Sequence, residues 1–273
     1  MHMYDKIFPP KKIELSNGRV VLEKRSRTPL ILLIVMIAVY YSAQVTGFSF
    51  EVLFKRISEF FIIIKEMLKP NWGYIDGIWP ELMSTLKMSL FGSVAGALIA
   101  LPAALLASAN IIKNRVIVAV CKTVLSLLRT MPTLVTALIA TYVFDLPATA
   151  GTVAIFLFTI SYVGKLMYEA IENVDMGAFE AMESIGMTRI EAFRYAIIPQ
   201  ILPGYLSTSL FCFEGNVRYA AILGYVGAGG IGKLINETIG WRDYSSLGMI
   251  VLMLVITVYT IETISEHFRK KLI

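Results

Sequence analysis

Histidine is almost missing from this chain. His2 and His267 are its two copies, both near the ends of the sequence. A histidine-based metal centre or proton shuttle therefore has nothing to build on. Cysteine is as scarce. Cys121 and Cys212 lie far apart in apolar surroundings and read as small packing residues, not as a disulfide or a metal site. Charge is sparse too, at 16% of the 273 residues against 56% hydrophobic. That balance is too apolar for a soluble domain of this size and predicts a polytopic membrane protein. The net charge of +5 comes from basic residues that flank apolar runs, so no groove for nucleic acid is expected. Low-complexity tracts and clear internal repeats are also missing.

What the sequence does have is a series of apolar runs, each spanning helix needing about 20 such residues. Residues 1–28 form a basic polar segment with Lys6, Lys11, Lys12, Arg19, Lys24, Arg25 and Arg27. This lead is long and no small-residue cleavage site follows, so a signal peptide is not expected. A first span is predicted at 29–47, its start held in the cytoplasm by those cations. Phe50, Leu53, Phe54, Ile57, Phe61, Ile64 and Leu68 then share one helical face, which predicts an interfacial helix on the outer side. Trp72, Tyr74 and Trp79 read as an aromatic belt. The regions 29–79 and 80–273 are accordingly taken as an N-terminal span with its interfacial helix and a main transmembrane domain.

Further spans are predicted at 81–109, 133–144, 148–165, 199–223 and 246–264, which puts both basic termini inside. Along the second, Gly92, Gly96, Ala100, Ala104 and Ser108 recur every four residues and offer a small face for close helix packing. Pro102 is expected to bend that helix. Residues 116–128 are apolar on one side and end at Arg129, ahead of Pro132. They predict a cytoplasmic surface helix, broken at the proline.

The stretch from Glu180 to Pro203 differs from its apolar neighbours, being helical in pattern yet polar. Asp175 is placed to cap a first short helix through Ile185, and Gly186 supplies its left-handed stop. Thr188 and Glu191 have capping-box spacing, so a second helix starts at once and runs toward Pro199. Pro203 then suits the first turn of the next span. A helix–Gly–helix elbow at 175–199 could dock a soluble partner, or it could be an ordinary interhelical loop.

Two other features invite function. Gly227, Gly229, Gly230 and Gly232, with Lys233, imitate nucleotide-binding loops. Their flanks are spans instead of an α/β unit, and Leu234 cannot ligate Mg²⁺ as a P-loop Ser or Thr would. The glycines can form a gate, present amides to an anion, or make a tight re-entrant turn. Glu214, Asn216 and Arg218 lie inside the fifth span, where charge must face the bundle or a water-filled path. Glu214 and Arg218 can pair at i, i+4, either as a staple or as part of a substrate path. Counted from Pro203 at 1.5 Å per residue, Arg218 falls toward the outer leaflet.

Glu180-Ala181, Gly186 and the Ile198-Pro199 ending resemble the EAA loop of ABC importer permeases. Met182 stands where that family often has Ala, and Ile198 where Leu is usual. Beyond the loop, LLRTMPTLV (127–135), PQILP (199–203), NVRYAAILGYVGAGGIG (216–232) and WRDY (241–244) are similar to phosphonate-type importer permeases. The likeness covers about residues 80–270. It implies an all-α polytopic protein, a type I ABC importer permease with a methionine-importer-like core, about six transmembrane helices and an extra N-terminal span.

The resemblance also implies partners. These are a second permease copy, a dimer of ATP-binding subunits, an extracytoplasmic substrate-binding protein, and the lipid of a bacterial cytoplasmic membrane. ATP and Mg would sit on the ATPase, with no cofactor and no catalysis on this chain. Glu180, Ala181, Gly186, Thr188, Glu191 and Pro199 would couple to that ATPase. The translocation path would draw on Arg129, Glu214, Asn216, Arg218, Gly227, Gly229, Gly230 and Gly232. The implied solute is a phosphonate or a related phosphorus oxyanion such as phosphite. Methionine and other amino-acid importers share the glycine-rich segment, so that alternative stays open. An ion-coupled secondary transporter would favour acidic residues at broken helices in repeated halves, and Glu214 alone lies well inside a span. A membrane enzyme would need a catalytic cluster that the chain lacks.

Overall fold

The computed structural model describes residues 12–14, 18, 20–22 and 28–272. Two compact units divide the chain, Met1–Ile62 and Ile63–Ile273. In the first, Lys12–Glu14 (β1) and Val20–Leu22 (β2) pair as an antiparallel ribbon with Ile13 opposite Val21. Helix α1, Thr28–Thr46, is apolar on all sides and buries no residue against protein, the pattern of a helix solvated by lipid. Helix α2, Phe50–Met67, starts in this unit and is amphipathic, with Lys55 paired to Glu51 at 2.6 Å on its polar side.

The second unit begins with a 3₁₀ turn at Trp72–Tyr74, where the Asn71 side chain accepts the Gly73 amide at 3.2 Å. The turn leads straight into α3, Ile75–Ala107, so this helix starts ahead of the expected Glu81. Asn71 also donates to the Ser246 hydroxyl, and Ser245 donates to the Lys69 carbonyl. The start of α3 is thereby tied to the start of the last helix, α11, Tyr244–Leu272. Asp243 caps α11 by accepting the Ser246 amide. The Ser246 hydroxyl and amide hold the Asp243 carboxylate below its usual pKa.

Helices α3 and α6 (Pro147–Glu172) form the centre, and the small face does the joining. A Cβ on Gly92 would lie 2.8 Å from Ile155 Cγ2, and one on Gly96 would lie 2.6 Å from Thr159 Cβ. Ala100, Ala104 and Ser108 continue the buried row. Between the two lie α4, Arg115–Thr130, and α5, Thr133–Phe144, which meet at a 91° bend beside Pro132. Asn114 opens α4 by accepting the Val116 and Ile117 amides. At 1.5 Å per residue α5 is about 18 Å long, well short of the roughly 30 Å hydrocarbon core.

The remaining helices are α7 (Gly177–Ser184), α8 (Arg189–Ala192), α9 (Ile198–Leu223) and α10 (Ile231–Gly240). One expectation is corrected here. The prolines do not separate the elbow from the next span: α8 passes through a π turn, Phe193–Ile197, into α9 without a break. In that turn the Ile198 amide reaches back five residues to the Phe193 carbonyl. Widening the helix just ahead of Pro199 relieves the clash between a proline ring and the carbonyl four residues earlier. Among the described residues five helices are long and apolar enough to cross a bilayer, and the bent α4–α5 pair supplies a sixth.

Candidate coupling elbow and translocation path

The elbow is built by local signals. Asp175 accepts the Gly177 amide at 2.9 Å ahead of α7, although Met176 occupies the capping position itself. At the other end Gly186 has φ +92, its amide donates to the Glu183 carbonyl, and the Met187 amide donates to Met182. This six-to-one and five-to-two pair is a Schellman stop, which needs a left-handed residue where Gly186 stands. Thr188 and Glu191 then close a reciprocal capping box.

Long-range contacts hold the elbow in place. Phe179 is 1% exposed and packs with Ala192, Phe193, Ala196 and Ile197 against residues of α3 and α6. Arg189 pairs with Glu183 across the bend at 3.0 Å, lies over the Phe179 ring, and donates to the Asn110 carbonyl beyond α3. The outer surface is different: Ile185 and Ile190 are each 76% exposed, beside exposed Glu180, Ala181 and Thr188. An apolar tip on a fixed base suits insertion into a cleft on another protein.

From the elbow, α9 carries the predicted polar residues into the bundle. Asn216 is 1% exposed and donates to the Ser93 and Thr159 hydroxyls at 2.8 and 2.9 Å. It knots α9 to the middles of α3 and α6, so this level is mid-bundle. Arg218, two residues farther along, and Glu214, two residues before, share this level, so Arg218 is not at an outer mouth. The count from Pro203 misplaced it because the helix already starts at the elbow, outside the apolar core.

Glu214 and Arg218 form the ion pair foreseen for them, with side-chain exposures of 4% and 52%. Both line a cavity of about 590 Å³ together with Phe158, Tyr162, Phe211 and Tyr219. Cys212, Ile222 and a second carboxylate, Glu262, join the wall, so an anion there meets one cationic contact and no tight cage. Asn216 does not line that cavity. Arg129 is elsewhere, beside Lys165 and Tyr168 around a hollow of about 60 Å³.

The glycine-rich segment makes a tight turn that is exposed at Gly227 and buried at Ala228, Gly230 and Gly232. Gly227, Gly229 and Gly230 have φ of +81, +72 and +69. The Ile231 amide donates to the Thr85 hydroxyl at 2.8 Å, and a Cβ on Gly232 would lie 2.0 Å from the Ala221 carbonyl oxygen. Gly230 and Gly232 are therefore consumed by packing between α3, α9 and α10. Arg269, at the end of α11, was missed: its guanidinium lies 3.6 Å from Glu214 and over the Phe211 ring. Sequence offered only a terminal basic run, which normally marks the interface.

Comparison with known proteins agrees with this architecture. Residues 92–272 match the family described as binding-protein-dependent transport system inner membrane component. The phosphite transport system permease protein PtxC of Stutzerimonas stutzeri is 30% identical over 75% of this chain and 74% of its own length. The phosphate-import permease protein PhnE of Mycolicibacterium smegmatis is 30% identical over 77% of this chain, a match that spans 40% of that longer protein. Among solved structures, the inward-facing MetNI methionine ABC transporter shares the fold, with TM-score 0.65, 22% identity, and 74% of this chain covering 99% of the other. With its helical membrane core, its exposed elbow and a matched segment that takes in both, the chain belongs to the binding-protein-dependent inner-membrane permeases and is a multi-pass permease subunit of a type I ABC importer.

Proposed function

We propose that two copies of this chain form the translocation path of an ATP-driven importer for a phosphonate or a related phosphorus oxyanion such as phosphite. One observation carries the reading: α8 of the elbow runs unbroken into α9, the helix that bears Glu214 and Arg218. Closure of an ATP-binding subunit dimer on the elbow would move the wall of the path directly. The residues that engage the ATPase are Glu180, Ala181, Gly186, Thr188 and Glu191, with Pro199 setting the wide turn behind them. An external binding protein delivers the solute at the opposite end. A guanidinium fork fits the oxygens of a tetrahedral oxyanion, and the named solutes of PtxC and PhnE are of that kind.

The test is uptake by proteoliposomes holding the permease, its ATPase and its binding protein. Phosphite or methylphosphonate should enter in an ATP-dependent, vanadate-sensitive way while methionine does not. Arg218→Gln should lose most of that uptake. The opposite result, methionine import without oxyanion import, would move the protein to the amino-acid branch. If the ion pair is only a helix staple, Arg218→Met should transport nearly normally, because Arg269 still faces the Glu214 carboxylate and no charge is orphaned. The reading also places the elbow and both termini in the cytoplasm. A membrane-impermeant maleimide applied to whole cells should label a cysteine at Tyr74 and spare one at Thr188; the reverse pattern would invert the topology.

A further inference from the structure

Glu214 serves two arginines from different helices. Its Oε1 takes the Arg218 guanidinium on α9, and its Oε2 lies 3.6 Å from Arg269 Nη2 on α11. The second distance is too long for a hydrogen bond. Glu214 Oε2 and Arg269 Nε are in fact both buried without a hydrogen-bond partner. One carboxylate thus faces two guanidiniums, and one donor and one acceptor are left idle. Glu262 lines the cavities on both sides but is exposed and forms no ion pair with either arginine among the described residues. Glu266 is already engaged with Lys270 at 2.8 Å.

The two arginines open to different spaces. Arg218 lines the cavity of about 590 Å³, and Arg269 lines a second one of about 640 Å³ with Ser207 and Lys270. Ser207 lies nearer the elbow along α9 than Arg218 does, so the second cavity is the elbow-side one. Arg269 sits near the elbow-side end of α11, and helical side chains lean back toward their own N-terminus. Its guanidinium therefore reaches inward to mid-bundle Glu214.

We propose that Arg218 and Arg269 are two successive stations for a tetrahedral phosphorus oxyanion, with Glu214 as the counter-ion to which each guanidinium returns when the anion moves on. The inference rests on the functional reading above. The physical reason is release. A lone guanidinium in an apolar wall would hold an oxyanion too well to pass it on, and conduction needs sites weak enough to leave. A shared carboxylate competes for the same forks, so neither arginine is left uncompensated at any stage. Arg269 lines the second cavity without a hydrogen bond to Glu214, so its guanidinium can give the arriving anion a bond that Glu214 does not take.

The experiment is phosphite uptake by the complete importer in proteoliposomes, with its loaded binding protein and at matched permease content. Arg269→Gln should lower the maximal rate about tenfold or more, the scale of one lost charge-assisted hydrogen bond. The half-saturating phosphite concentration, set by the binding protein, should stay, as should stimulated ATP hydrolysis. Arg269→Lys should recover part of the rate. If Arg269 merely neutralises Glu214, Arg269→Lys should restore wild-type uptake, because the charge is kept; a station that needs the guanidinium fork leaves it only partly recovered. Full uptake by Arg269→Lys, or normal uptake by Arg269→Gln alone, overturns the second station and leaves the importer reading intact. A wild-type complex that imports neither phosphite nor methylphosphonate overturns the functional reading and this site with it.

Discussion

Gly232→Ala should remove the folded protein from the membrane. The new Cβ would lie 2.0 Å from the Ala221 carbonyl oxygen and 2.8 Å from Gly224 Cα, and a Cβ on Gly224 would in turn meet Gly232 Cα at 2.4 Å. Every atom in this contact is backbone, so no rotamer change can make room. Relief requires α10 to move off the end of α9, which opens the buried packing of Ile231 and Leu234. Overpacking a core costs about 1–3 kcal/mol, and a contact with no side chain to yield belongs at the upper end or beyond. Gly204→Ala is the control, because nothing lies within 4 Å of its Cβ position. There alanine should be neutral or stabilising by up to about 1 kcal/mol, as in any helix interior. Membrane abundance and thermal unfolding in detergent measure both variants. Normal abundance and melting of Gly232→Ala would show that the α9–α10 contact is looser than its distances.

The second large effect is functional. Gly186→Val should leave the permease in the membrane at near-normal abundance and abolish most of its transport. No atom lies within 4 Å of the Gly186 Cβ position, so the substitution creates no clash. Its cost is in the backbone: φ is +92, and a β-branched residue is a genuine outlier at positive φ. Strain of this kind is worth about 1–3 kcal/mol, and the exposed elbow can shed it by unwinding the Schellman turn. That swings Ile185 and Ile190 away from their present alignment while the Phe179 anchor stays buried. The expected result is a loss of ATPase co-purification with the permease and at least a tenfold drop in uptake. Gly186→Asn should do less harm, since Asn tolerates the left-handed region. Normal uptake by Gly186→Val would remove the elbow from the coupling role.

Both predictions concern glycines, yet only one of them was legible from the chain alone. Gly186 announced its function because a helix stop is written in neighbouring residues: Met182, Glu183 and Met187 supply the partners, and Thr188 with Glu191 restarts the helix three residues on. The periodic small face of α3 was legible for the same reason, its regular spacing being a property of one helix. Gly232 was not. Its meaning lies in the Ala221 carbonyl and in Gly224, which a turn brings back beside it, and the motif it sits in resembled a nucleotide loop as much as a packing turn.

The apolar runs, the bend at Pro132, the elbow's stop and restart, and the pairing of Glu214 with Arg218 follow from the sequence by itself. All of these are decided within one or two helical turns, or by the bilayer, which acts on each run separately. Tertiary structure decided the rest. It widened the helix into a π turn just ahead of Pro199 and so joined the elbow to α9. It turned Asn216 from a path residue into the knot of three helices, by placing Ser93 and Thr159 around it. It brought Arg269, read from sequence as one more interfacial cation, onto the carboxylate of Glu214. No local pattern fixes which helix a buried carboxylate will face. That choice is made only when the small faces of α3 and α6 close and α9 and α11 settle against them, because the cost of an unpaired charge is set by the whole bundle.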